Sequence, residues 1–200
     1  MNRRSEHGWT LIELLVTLAV LGLLAALAAP PLLRAASAGR MRLAASEIAT
    51  SMHMARTWAI RHHARVGLRF DPGAAGGASW TLYRDGDGDG VLAADIADGT
   101  DPVVRAAPLR RLGAAARFGF PPGPPPRDPG DPRRRLDRLD DPIRFNRSDM
   151  VSFDPLGTAT PGTVYLTDGR ELLVAVRVTG RTGRIRALRY DAAAEVWEGI

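Results

Sequence analysis

Three aspartates alternate with glycines in the stretch "DGDGDG", which begins at Asp85. Hard carboxylate oxygens on a turning backbone can converge on one cation, as in the first half of a Ca²⁺ loop. The twelfth position, which in such a loop is a bidentate acid, is Ile96 here. The alternative is a polar hairpin turn, since Asp-Gly is a strong signal for one. The candidate Ca²⁺ ligands are Asp85, Asp87, Asp89 and Asp95, with Asp98 and Asp101 as further oxygen donors.

A second candidate site is a pair of arginines near the C-terminus, Arg184 and Arg186. Alternate residues of a strand share one face, so the two guanidinium groups project together and can each contact a phosphate. This pattern is compatible with DNA binding. It is equally compatible with a solvated basic strand edge, because no aromatic residues are interleaved to stack on bases.

Composition argues against several other kinds of site. The chain has no cysteine, which excludes disulfides, thiolate metal sites and a cysteine nucleophile. No serine or histidine stands in a pattern such as G-x-S-x-G, so we expect no enzyme. The net charge is +5 and every basic residue is arginine. That bias reflects either a GC-rich genome or a surface that favours phosphate and carboxylate partners.

A carboxylate also stands at the edge of an apolar segment. Leu14 to Leu33 form a run of 20 residues without an ionisable side chain, which at about 1.5 Å per residue spans a bilayer core. Glu13 directly precedes it; either it stays hydrated at the interface or it pairs with a positive charge. Asn2-Arg3-Arg4 predict a cytoplasmic N-terminus. A cleaved secretory signal, with "ALAAP" ending at Pro30, and an ordinary anchor are the alternatives.

The stretch "HGWTLIELLVTLAVLGLLAALAAPPL" resembles the N-terminal signature of type IV pilins and type II secretion pseudopilins. The resemblance implies cleavage by prepilin peptidase between Gly8 and Trp9, followed by N-methylation of Trp9. That family usually has Phe or Met at the cut, so Trp9 is a departure. Glu13 would be the fifth residue of the mature chain. Its carboxylate and the freed amine of a neighbouring subunit can pair in low dielectric, so Glu13 would set the axial register of a filament.

After Arg34 the sequence becomes amphipathic and predicts that one long helix continues to about His63. Pro30-Pro31 should break or bend this helix. We predict a leader over residues 1–8, a transmembrane and filament-core helix over 9–33, an amphipathic stem over 34–63 and a β-rich head over 64–200. The predicted apolar stripe of the stem comprises Met41, Ala45, Ile48, Met52, Ala55 and Ala59.

Short alternating segments separated by turn residues follow the stem and predict strands. The fold class is therefore α+β, with one sheet packed against the long helix. Residues 120–142, with eight prolines and dense charge, are predicted to be a solvated loop that buries no apolar surface, either merely tolerated or a contact arm for a partner. The predicted strands are Arg65–Phe70, Ser79–Arg84, Val103–Arg105, Ile143–Phe145, Val151–Phe153, Thr163–Leu166, Leu172–Thr179 and Arg184–Tyr190.

The segment "SEIATSMHMARTWAIRHHARVGLRF" and the later "GRTGRIRAL" resemble minor pseudopilin H and FimT-type minor pilins. The resemblance implies a single-pass inner-membrane protein with a periplasmic head. Its partners would be other pseudopilins, the inner-membrane assembly platform and prepilin peptidase. In related pseudopilins bound calcium orders a loop, which favours the Ca²⁺ interpretation. The FimT alternative implies a pilus subunit that binds DNA through Arg184 and Arg186.

Overall fold

A computed structural model describes residues 10–73, 78–104, 110–113, 116–146 and 148–200. The chain divides into two compact units, Met1–Ala38 and Gly39–Ile200. A single helix of 52 residues, α1, runs over Leu11–His62 and so contributes to both units.

The first unit is an uncovered apolar helix. Every residue from 10 to 36 is exposed, including Leu18 at 58% and Leu27 at 68% of the full residue surface. The most apolar window of α1 has a mean hydropathy of 2.5 and none of it is buried. By length and composition α1 can cross a membrane, and its bare apolar window distinguishes it from a buried core helix.

The sequence predicts that Pro30 and Pro31 break or bend the helix. In the structure they do not break it. α1 continues through Pro30 and Pro31 without interruption. Each proline lacks an N–H, so the carbonyls of Ala26 and Leu27 lose their intrahelical donors. The helix on either side nevertheless remains one assigned element.

Within the described residues, the second unit holds the end of α1, ten strands and one short helix. The strands in chain order are β1 (Val66–Asp71), β2 (Ser79–Arg84), β3 (Arg110–Arg111), β4 (Arg117–Phe118), β5 (Ile143–Arg144), β6 (Met150–Phe153), β7 (Gly162–Thr167), β8 (Leu173–Thr179), β9 (Arg184–Asp191) and β10 (Val196–Gly199). The short helix α2 covers Ala93–Asp98, and a 3₁₀ turn covers Gly180–Thr182.

The strands form two antiparallel sheets, whereas the sequence predicted one. The first sheet has the order β3-β2-β1-β6, and the second has β10-β9-β8-β7-β4, with β5 also paired to β7. In the first sheet Leu68 stands opposite both Leu82 and Val151. In the second, Val176 faces Val164 on one side and Ala187 on the other. β6 joins the first sheet by pairing with β1, which is distant in the chain, so local patterns did not separate the two sheets.

The amphipathic part of α1 supplies one wall of the main core, as predicted. All six residues of the predicted stripe are buried, together with Ala44 and Ser51. The six residues share one apolar cluster with residues of both sheets, among them Trp80 of the first sheet and Val176 of the second. The indole N–H of Trp80 donates to the Ser51 hydroxyl at 2.9 Å, and that hydroxyl donates to the Glu47 carbonyl. The stem therefore lies in the core of this unit.

The prediction that residues 120–142 bury no apolar surface is wrong. Leu136 is buried and packs in a second cluster with Tyr165, Leu173 and Ala175. These three residues alternate along β7 and β8 with residues of the main core, so the second sheet is covered on both faces. Arg127 fastens the segment to β9 and β10: its backbone N–H donates to the Tyr190 hydroxyl and its carbonyl accepts from the Trp197 indole. The prolines and charges of this segment kept its few buried apolar residues from being recognised in the sequence.

Some short elements differ from the predictions. Val103 makes only an isolated bridge to Tyr83 instead of beginning a strand, and Arg105 lies outside the described residues. Strands β3 and β4 were not predicted, because two residues are too few to show the alternation of apolar and polar side chains that identifies a strand. The sequence analysis also missed α2 and β10.

Candidate functional site

The predicted cleavage site, Gly8 and Trp9, lies outside the described residues. Helix α1 begins at Leu11, the third residue after the predicted cut. Thr10 and Glu13 are therefore the first described polar residues beyond that predicted cut, Thr10 directly before the helix and Glu13 in its first turn.

Thr10 and Glu13 close the first turn of α1 with reciprocal hydrogen bonds. The backbone N–H and the hydroxyl of Thr10 donate to Glu13 Oε2 at 2.9 and 3.0 Å. The backbone N–H of Glu13 donates back to the Thr10 hydroxyl at 3.3 Å. This is a capping box, and its T-x-x-E spacing is visible in the sequence. Glu13 thus has a local partner, and because Thr10 follows the predicted cut, that partner would remain after cleavage there.

The acidic stretch belongs to a loop whose two ends are tied by a buried carboxylate. Asp101 is 1% exposed; its two carboxylate oxygens accept from the backbone N–H groups of Gly86 and Leu92, both at 2.9 Å. A Cβ on Gly86 would overlap the carbonyl oxygen of Thr100, so only glycine fits there. Asp101, named from the sequence as a further oxygen donor, is therefore a backbone anchor.

Three of the four predicted calcium ligands converge. One carboxylate oxygen from each of Asp85, Asp87 and Asp89 lies within 4.8 Å of the other two. Ca²⁺ binds oxygens at 2.3–2.6 Å, so oxygens at this separation can share one ion. The loop leads into α2, and the chain returns alongside β2 only at Val103, so these six residues do not form a tight turn between two strands.

Asp95 lies in the first turn of α2 and is not one of the three converging residues. Its Oδ2 atom is buried and has no hydrogen-bond partner among the described residues. Burial raises the pKa of Asp95, and the charges of Asp87 and Asp101 raise it further. Asp89 is exposed, and local desolvation together with the neighbouring Asp87 carboxylate raises its pKa as well. The loop therefore concentrates negative charge, and Arg65, which donates to the Gly88 carbonyl at 3.1 Å, is a cation in contact with it.

Arg184 and Arg186 lie on one face of β9, as predicted, and both are exposed. Cross-strand pairing adds a third arginine that the sequence analysis missed, because Arg177 on β8 stands directly opposite Arg186. Like charges in directly opposed positions of a sheet are destabilising. Only knowledge of the strand register could have revealed this pair. The predicted contact of Arg184 and Arg186 with DNA stays a prediction.

Comparison with known proteins gives two family matches and a structural one. The family described as type II transport protein GspH matches residues 44–183, and the prokaryotic N-terminal methylation motif matches residues 3–29. Among solved structures, the minor pseudopilin EpsH from the type 2 secretion system of Vibrio cholerae is similar. It is 12% identical with a TM-score of 0.45, over 74% of this chain and 95% of that one. No curated protein sequence matches.

Proposed function

This chain belongs to the family of the type II transport protein GspH, and on that premise we propose that it is a minor pseudopilin of a type II secretion system. It would be a structural subunit of the pseudopilus, the filament that drives protein export, and not an enzyme. The observation that carries the proposal is the bare apolar window of α1, which begins beside Glu13 within an N-terminal methylation motif.

The apolar helix makes the chain a membrane-anchored protein, and we place it in the inner membrane. Arginines precede the helix and predict that the N-terminus stays in the cytoplasm, so Gly39–Ile200 would face the periplasm. Its partners there would be other pseudopilins and the assembly platform. During assembly the apolar side chains would exchange lipid for the helices of neighbouring subunits, since both surroundings are apolar.

Processing by prepilin peptidase is the first requirement of this proposal. Cleavage between Gly8 and Trp9 would free the amine of Trp9 for methylation. Glu13 would then be four residues from a new positive charge. The capping box shows how the carboxylate is held before any neighbour arrives, with both Thr10 bonds ending on Oε2.

Co-expression of the full chain with prepilin peptidase tests processing. We expect mass spectrometry to find the chain shortened by residues 1–8, with one methyl group on Trp9. Gly8→Leu should block the cut, because a bulky side chain keeps the peptidase from the backbone. Gly22→Leu is the matched control: a Cβ at Gly22 meets nothing within 4 Å, so processing should continue. Recovery of Met1 on the wild-type membrane form would contradict the proposal.

We also propose that Asp85, Asp87 and Asp89 hold a Ca²⁺ ion, with Asp95 in its outer surroundings. The convergence of the three carboxylates and the unpartnered buried oxygen of Asp95 support it. The ion would offset their mutual repulsion and stiffen the loop tied by Asp101.

Thermal unfolding of the full chain in detergent, with Ca²⁺ or with a chelator, tests this proposal. Ca²⁺ should raise Tm for the wild type and not for Asp87→Asn. Asp140→Asn, an exposed aspartate of the proline-rich segment, removes the same charge and should keep the response. An equal Tm with and without Ca²⁺ would exclude the site.

A further inference from the structure

A groove with a volume of about 750 Å³ opens on the outer face of the second sheet, beside the proline-rich segment. That outer face is formed by Leu173, Ala175, Arg177 and Thr179 of β8 and by their cross-strand neighbours on β9. Its apolar end is covered by Leu136. Its other end carries Arg177, Arg184 and Arg186 and forms the groove.

The groove is strongly cationic. Four arginines line it, and the one acid of its lining, Glu195, is already engaged by Arg127 and Arg135. Arg177 has one weak counter-charge, since its Nη1 is 3.9 Å from Asp128. Within the described residues neither Arg184 nor Arg186 makes an ion pair. The sheet thus places Arg177 opposite Arg186 with little to offset the repulsion, which is an arrangement that an anionic partner would relieve.

The floor of the groove is apolar. Leu188, Val196 and Trp197 line it together with two prolines of residues 120–142. The indole N–H of Trp197 is bonded to the Arg127 carbonyl at 2.7 Å, and its ring already packs on Tyr165 and Tyr190. A ring so engaged is a poor platform for stacking a nucleobase, whereas apolar side chains can pack on this floor.

We propose that this groove binds an extended acidic segment of a partner protein, with carboxylates at two successive alternate positions and an apolar residue at the next alternate position. Arg184 and Arg186 are two residues apart on a strand, roughly 6.6 Å, and alternate side chains of an extended peptide repeat at the same interval. Their guanidinium groups bind carboxylates bidentately. Leu188 follows Arg184 and Arg186 on the same face of β9, so an apolar side chain at the next alternate position of the peptide packs on it. This inference does not depend on processing or on filament assembly.

Fluorescence anisotropy of the full chain in detergent micelles tests the groove. The probe is a labelled octapeptide that carries Glu, Glu and Leu at successive alternate positions, with Ser at the others. The Glu peptide should bind in a salt-sensitive manner, and the counterpart with Gln in place of Glu should not. The double substitution Arg184→Ala and Arg186→Ala should weaken binding at least about tenfold, as loss of two charge-assisted contacts implies. Arg42→Ala with Arg170→Ala removes the same charge from exposed positions elsewhere and should change the affinity less than about twofold.

A second measurement locates the peptide without removing an arginine. Because the chain has no cysteine, Thr182→Cys places a unique thiol at the groove. A bromoacetyl form of the Glu peptide should alkylate it, the thiolate displacing bromide to form a thioether. Ser46→Cys, exposed on α1, should react more slowly.

Three outcomes would overturn the proposal. These are no binding of the Glu peptide, equal losses in the two double variants, or tighter binding of a single-stranded DNA octamer than of the Glu peptide. The last result would assign the groove to nucleic acid.

Discussion

The two halves of α1 are both rich in apolar residues, yet only one half is covered by the chain itself. Residues 10–36 are all exposed, whereas the stripe from Met41 to Ala59 lies in the core of the second unit. The difference follows from patterning. The first half is apolar all round and suits lipid or other helices, and the second half is apolar on one face and suits a sheet. The contrast teaches that only the second half is needed for the second unit to fold.

The largest effect should come from shortening a buried side chain of the second half. Ile48→Ala leaves a cavity against both sheets and should lower the free energy of unfolding by about 2–5 kcal/mol. Leu18→Ala, in the uncovered half, should change it by less than about 0.5 kcal/mol. Urea unfolding of the full chain in detergent, followed by near-UV circular dichroism, measures both. If the two substitutions lowered the free energy of unfolding equally, the claim that only the second half of α1 supports folding would be contradicted.

A smaller effect concerns the polar contact within the buried half. Ser51→Ala removes the acceptor of the buried Trp80 indole N–H, and an unsatisfied buried donor costs about 1–3 kcal/mol. The same unfolding experiment measures this loss. Thr50→Ala, at the exposed neighbouring position, is the control. If Ser51→Ala were as stable as Thr50→Ala, the hydrogen bond would contribute nothing.

The smallest effect lies where the proline-rich segment covers the second sheet. A hydrogen bond from Arg135, and to a smaller extent one from Arg127, lowers the pKa of Glu195 in the folded chain. The unfolded chain therefore binds a proton at Glu195 more readily than the folded chain does. The stabilisation is therefore complete above the unfolded pKa of about 4.3 and is lost as pH falls through the lower folded pKa. Trp197 fluorescence should report this loss below about pH 4. In Glu195→Gln that transition should vanish; if it persisted, another acid would be responsible.

The sequence predicted much of the fold where local pattern decides it. The buried stripe of α1 was identified residue by residue, because a helix with one apolar face needs no knowledge of its partner. The split into two sheets was missed, because it depends on the pairing of β6 with β1, which is distant in the chain. The covering role of Leu136 was hidden by the surrounding prolines and charges.

The candidate sites divide in the same way, into features that local spacing predicts and features that depend on contacts distant in the chain. Spacing alone brought Asp85, Asp87 and Asp89 together, because they are close neighbours on a turning backbone. The anchoring role of Asp101 depends on a loop closure that no local pattern encodes. The opposition of Arg177 and Arg186 depends on register. Thr10 could have been found from its capping spacing to Glu13.

Recovery of Glu13→Gln in the pseudopilus fraction is the most direct measurement of the central claim, that the uncovered half of α1 packs against other subunits through Glu13. Glutamine can still cap the helix through Thr10 but carries no charge. We predict that the variant is inserted and processed, yet is recovered with sheared pseudopili at least about tenfold less than wild type. Thr10→Ala, which keeps the charge, should assemble. Assembly of Glu13→Gln at the wild-type level would contradict the account.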